Sequence, residues 1–156
     1  MDGGWFKEWN QGRCFIIKIK PGEKLRERLV DFARESGVKS AVIMSAVGSV
    51  RNAFFRGIKA GAKRPITVPR MRQHTIEGPL EMLGLEGNII STDDGDIDCH
   101  LHIILGNSSG EVFGGHMFDA EVFASCEIVL TEMVVQGVGR QLSKSTGTPT
   151  IYINEE

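Results

Sequence analysis

Alternation of apolar and polar positions, rather than helical spacing, dominates the chain from residue 40 onward. The segments 40–45, 53–59, 67–76, 81–90, 97–105, 112–118 and 122–133 all read as β-strand, and Gly, Pro, Asn, Asp or Ser residues separate most of them. An earlier β-rich run, 13–20, stops at Pro21-Gly22, which starts a turn more readily than it continues a strand. Between these regions Leu25, Leu29, Phe32 and Ala33 recur at i, i+4, i+7 and i+8, the spacing of one helical face. Gly37 is placed to end that helix in a left-handed conformation. The apolar stripe should lie on a sheet, with Lys24, Glu27, Arg28, Asp31, Arg34 and Glu35 toward water. One main helix and about seven strands joined by short connections predict an α+β fold with a mostly antiparallel sheet.

Two of the runs, 41–50 and 121–133, are apolar in both phases of the period-two pattern, so both sheet faces ask for cover. One helix covers one face. Partner subunits in a closed cyclic homo-oligomer are the ordinary cover for the other.

Composition narrows the setting. With 156 residues and 41% hydrophobic content, the chain suits one domain with a substantial core. Cys14, Cys99 and Cys126 are an odd, scattered set, which argues against a disulfide framework and for a reducing, cytoplasmic compartment. Residues 1–9 lack a basic stretch leading into an apolar run, and no segment approaches the ~20 apolar residues of a membrane span.

The net charge of −2 gives no global pull toward nucleic acid, but its distribution is uneven. Seven basic residues, Arg51, Arg56, Lys59, Lys63, Arg64, Arg70 and Arg72, fall between positions 51 and 76 with no acidic residue among them. They form either a candidate phosphate-binding patch or an ordinary solvated surface. Asp93, Asp94, Asp96 and Asp98 gather just before residue 100, where Asp and Gly most simply mark a turn.

Histidine is where the sequence points to chemistry. His100 and His102 share one face of a strand, their Cα atoms roughly 6 to 7 Å apart, a gap one metal ion can bridge. Asn107-Ser108-Ser109-Gly110 reads as the turn of a hairpin that brings His116 alongside on the next strand. Three imidazoles match a zinc site that keeps one coordination position open for water or substrate. The alternative is a set of part-exposed or hydrogen-bonded strand histidines. Cys99 falls on the opposite strand face, where it packs as a small hydrophobe, and His74 reads as a surface residue. Gly114-Gly115 marks either a kink that lets the sheet coil or room for a ligand beside His116. Gly-x-Gly-x-x-Gly, Walker and Gly-x-Ser-x-Gly templates are all absent, which leaves metal-assisted chemistry as the enzyme option.

The ordered combination of Gly48-Ser49-Val50, the 79–89 run with its Leu85-Glu86-Gly87-Asn88, His100-Leu101-His102, Gly114-Gly115-His116 and the 126–130 run resembles the plants-and-prokaryotes conserved domain. The resemblance covers roughly residues 12–142, with an N-terminal extension at 1–11 and a C-terminal tail at 143–156. It implies an antiparallel sheet with one helix, a homotrimer, and a metal, zinc or another divalent transition metal, held by His100, His102 and His116. Plant members carry AT-hook arms for the DNA minor groove, and bacterial members often bear a DNA-binding label by that association. Lys63-Arg64-Pro65 is the nearest fragment here, and it lacks the glycine between two basic residues.

Three functions therefore stand open. A trimeric metal-containing module would bind DNA, through the basic segment, or another partner. A metal-dependent enzyme, hydrolase-like, would bind a small-molecule or anionic ligand at the metal, with Glu81, Glu86 or Glu127 as a candidate base. A purely structural metal would need a fourth protein ligand.

Overall fold

The computed structural model of the chain describes residues 3–154. Its elements run β1 (Asn10–Ile19), α1 (Leu25–Ser36), β2 (Ser40–Ile58), a 3-10 turn (Val68–Arg70), β3 (Met71–Ile76), β4 (Leu80–Ser91), β5 (Ile97–Gly106), β6 (Val112–Val134), β7 (Val138–Leu142) and β8 (Pro149–Ile153). The α+β class and the antiparallel pairing match the sequence expectation, but the strands number eight in two sheets rather than about seven in one.

Two differences account for this. Strands β2 and β6 each run through a break that the pattern suggested, because the interruptions are absorbed as register shifts within the β2–β6 ladder instead of becoming turns. Asn52, with φ 49°, sits inside one of these irregularities. The second difference is at the C-terminus, where β8, within residues 143–156, pairs with β7 in a separate hairpin. Pro69 also shortens its strand, since the chain turns through Val68–Arg70 before β3 begins.

The main sheet has the order β1-β6-β5-β4-β2-β3, and β2 also pairs with β6. That extra ladder closes β6, β5, β4 and β2 into a ring, with β1 and β3 as flanking strands. Leu85, Ile89, Leu101, Ile103, Leu105, Val122, Ile128 and Leu130 are all buried in one continuous core. Helix α1 adds Leu25, Leu29, Val30 and Ala33 to it, while Phe32 packs edge-on against Phe15 of β1 at 4.9 Å. Gly37 takes the left-handed conformation expected at the helix end, with φ 72°. The Asp119 carboxylate of β6 accepts a hydrogen bond from the Arg26 backbone amide, fastening the helix start to the sheet.

Cover is incomplete on the outside of β1, β6 and β2. Ile16 is 84% exposed, Val47 64% and Met44 65%, on strands whose alternate residues are core. Among the described residues no helix is long and apolar enough to cross a membrane.

Candidate metal centre and its cleft

Strand alternation places the histidines. Cys99, Leu101, Ile103 and Leu105 of β5 face the core, so His100 and His102 face the other way. The Asn107–Gly110 turn closes as a hairpin: Asn107 Oδ1 accepts from the amides of Ser109 and Glu111, and Gly110 takes φ 81°. His116 then stands directly opposite His102 in the β5–β6 register.

The rings converge. Their centroids are 5.1 Å apart for His100–His102, 5.1 Å for His100–His116 and 5.6 Å for His102–His116. One nitrogen from each lies within 4.8 Å of the others, and the His100 and His102 Nε2 atoms are 3.3 Å apart. Tetrahedral ligands on zinc stand about 3.3 Å from one another, so that pair already has ligand spacing and the third nitrogen needs only a small closure. Among the described residues this is the one cluster of metal-ligating side chains at such distances.

Charge and burial keep the His100 and His116 rings in ligand form. Burial, and then the Arg56 guanidinium, push the His116 imidazole down to about 4, and burial followed by Arg140 and His102 lowers His100. Neutral imidazole is the metal-binding species, and protons compete for it weakly at neutral pH. Cys99 stays outside the ligand set: burial pushes its thiol up to about 12, far from the thiolate that binds metal.

Gly114 and Gly115 are explained by close approach. A Cβ on Gly114 would stand 2.1 Å from the Ile103 carbonyl oxygen, and one on Gly115 would stand 2.5 Å from that of Arg56. β6 is therefore pressed between β5 and β2 beside His116. Gly87 does the same on the other side of β5, where a Cβ would meet the His100 carbonyl oxygen at 1.9 Å.

The three imidazoles open into a cleft of about 650 Å³. Arg26, Arg56 and Asp98 supply its charge, while Ile58, Ile66, Met71, Met117 and Phe118 make most of its wall. Thr148 and Pro149, from the C-terminal hairpin, contribute to the rim. Asp98 bridges two arginines: Arg26 at 2.9 Å, and Arg140 at 3.3 Å without hydrogen-bond alignment. Arg140 is almost fully buried and also donates to Asn88 of β4.

The other sequence candidates disperse. In the β4–β5 register Glu86 stands opposite His102, but it does not line the cleft. Glu81 pairs with Gly106 at the far end of β4, and Glu127 pairs with Lys18 of β1. His74 is exposed on β3 with its ring stacked on Phe55. Of the basic segment, Arg51 pairs with Glu121, Lys59 donates to the Pro69 carbonyl and Arg70 braces the carbonyls of Lys63 and Pro65. Arg56 turns into the cleft, and Lys63, Arg64 and Arg72 are exposed. Asp98, expected to mark a turn with Asp93, Asp94 and Asp96, lies instead on β5, and Arg26 was not singled out from the sequence. Asp98 carried a signal, since it shares the parity of His100 and His102, whereas nothing in the helix pattern distinguishes Arg26.

Residues 6–134 match the family model of the Plants and Prokaryotes Conserved (PCC) domain. A plant- and prokaryote-conserved protein of Pyrococcus horikoshii has a similar structure, with TM-score 0.80, 26% identity, and coverage of 97% of this chain and 96% of that one. The metal-containing protein of Archaeoglobus fulgidus gives TM-score 0.77 and 31% identity, covering 96% and 97% of the two chains. AT-hook motif nuclear-localized protein 14 of Arabidopsis thaliana is 32% identical over 108 residues, 67% of this chain and 24% of the plant protein. The chain spans about a fifth to a quarter of the length of the curated relatives it matches, which include the bifunctional protein GlmU of Synechococcus sp. (strain JA-3-3Ab), 26% identical over 144 residues.

Proposed function

The chain belongs to the Plants and Prokaryotes Conserved domain family, and on that premise we propose that it is a metal-binding module. His100, His102 and His116 hold zinc or another divalent transition metal, and the remaining coordination position faces the cleft. The observation that carries this reading is the convergence of three imidazole nitrogens within 4.8 Å on the floor of a cleft. The metal-containing character of the Archaeoglobus fulgidus relative supports it. A bound ion of this kind polarises a ligand oxygen or lowers the pKa of a bound water. The chain's own residues favour binding over hydrolysis: Asp98 is the one carboxylate lining the cleft, and two arginines already hold it.

Metal analysis of protein purified without a histidine tag tests the reading. Wild type should retain close to one divalent ion per chain, and His102→Ala should lose at least tenfold in metal affinity. Equal metal content in both proteins would end it.

We also propose a homotrimer in a reducing, cytoplasmic setting. The exposed Ile16, Val47, Met44 and Val129 on neighbouring strands supply an apolar face for subunit contact, and the three unpaired cysteines fit a reducing compartment.

A second reading, contact with duplex DNA, has one supporting observation in the AT-hook name of the plant relative. Here Lys63, Arg64 and Arg72 are the members of the basic segment left exposed and uncommitted to the contacts described above. Three phosphate contacts per protomer would make binding fall with salt at a slope of about −0.9 per contact. Filter binding at low salt decides it, and no retention there rejects DNA as a partner.

A further inference from the structure

We propose that the cleft above the three histidines receives a small organic anion, its charged head bound by Arg56 and its apolar body lodged against Ile58, Met71 and Phe118. The proposal deepens the metal-module reading, since it names the class of ligand that would meet the open coordination position.

Arg56 carries the argument. It is half-buried on β2 and is the cross-strand partner of His116, so both side chains project from the same face of the ladder. Its guanidinium lies 4.8 Å over the Phe118 ring, and that ring meets His116 edge-on at 5.7 Å. Among the described residues the Arg56 side chain has no ion pair and no hydrogen-bond partner. Stacking leaves the five N–H donors of a guanidinium untouched, in a fork that matches a carboxylate. A half-buried guanidinium with its donors uncommitted is costly unless water or a ligand accepts from it.

The charge balance of the cleft agrees. Asp98 is shared by Arg26 and the buried Arg140, so it does not neutralise Arg56. A divalent ion on the histidines would raise the positive charge further, beside the same guanidinium.

Shape sets the rest of the ligand. A volume of about 650 Å³ lies within the roughly 300 to 1,000 Å³ of small-molecule sites. Inorganic phosphate would leave the apolar wall of Ile58, Met71 and Phe118 in water, whereas an aryl or alkyl body covers it.

Calorimetric titration of the full chain, zinc-loaded and metal-free, with phenylacetate, phenylacetamide and acetate tests the proposal. Phenylacetate should bind at least tenfold more tightly than the uncharged amide and than acetate. Arg56→Gln should weaken phenylacetate at least tenfold while metal content and circular dichroism stay as in wild type, and Arg56→Lys should recover part of the loss. Equal affinity for phenylacetate and phenylacetamide, equal affinity for acetate, or no effect of R56Q in a folded protein overturns it. If R56Q does not fold, the ligand series on wild type decides. If wild type retains no zinc, the metal reading fails alone, and the metal-free titrations still decide whether Arg56 selects an organic anion.

Discussion

The imidazole of His116 and the guanidinium of Arg56 occupy opposite positions on neighbouring strands, and each shapes the other's chemistry. A cation beside a part-buried imidazole disfavours its protonation, which leaves the ring ready for a metal. Spacing alone predicted the histidine cluster, because period two fixes which side chains share a face. The sequence could not announce Arg56, since one arginine among seven basic residues looks like any other until the β2–β6 register is known. A different pairing governs acid stability. Arg13 donates to both carboxylate oxygens of Glu132 across β1 and β6, and this holds the Glu132 carboxyl below its ordinary 4.5. A carboxyl with a depressed folded pKa contributes stability that is present above the unfolded pKa and lost as pH falls through the folded value. Thermal melts of wild type should therefore drop as pH is taken below about 4.5, and Glu132→Gln should flatten that acid limb while lowering the neutral melting temperature slightly. An unchanged acid limb in the variant would assign the loss to other carboxylates.

Element by element, the ladders explain what the hydrophobic pattern left out. Helix α1 follows its spacing almost residue for residue because a helix on a sheet must bury one stripe. Strands β2 and β6 hide their continuity, because a bulge and a turn use similar residues and only the partner strand tells them apart. The β7–β8 hairpin carries Ser143, Ser145, Gly147 and Pro149, a composition that reads as loop, and its short strands offer little alternation to detect. Glycine at 114 is a requirement of the crowded β5–β6 ladder. Gly114→Ala should destabilise the protein by about 1–3 kcal/mol, because the added methyl meets backbone that must move to admit it. Gly57→Ala, where a Cβ would meet nothing within 4 Å, is the control. Urea midpoints compare the two, and equal midpoints would refute the close-approach account.

At the scale of the whole molecule, the apolar excess noticed in the strand runs divides between the ring interior and an outer face. Ile128 and Leu130 are buried, whereas Ile16 and Val129, direct partners across β1 and β6, are exposed. Ile16→Asp should convert the proposed trimer to monomer, read by light scattering as a fall in molar mass to the 17.2 kDa of one chain. Wild type already at that mass would reject the assembly. The closed ring has a further consequence, and it concerns time. Residues 126–130 of β6 are flanked by β1 on one side and β2 on the other, so their amides meet solvent only when one of those two ladders opens. The β7–β8 pair has no third strand in its sheet and should open at lower cost. In deuterium-uptake mass spectrometry, peptides spanning 138–153 should saturate first and those spanning 126–130 last. Because Thr148 and Pro149 form part of the cleft rim, a hairpin that exchanges early should also let ligand enter sooner than the ring that holds the histidines can open.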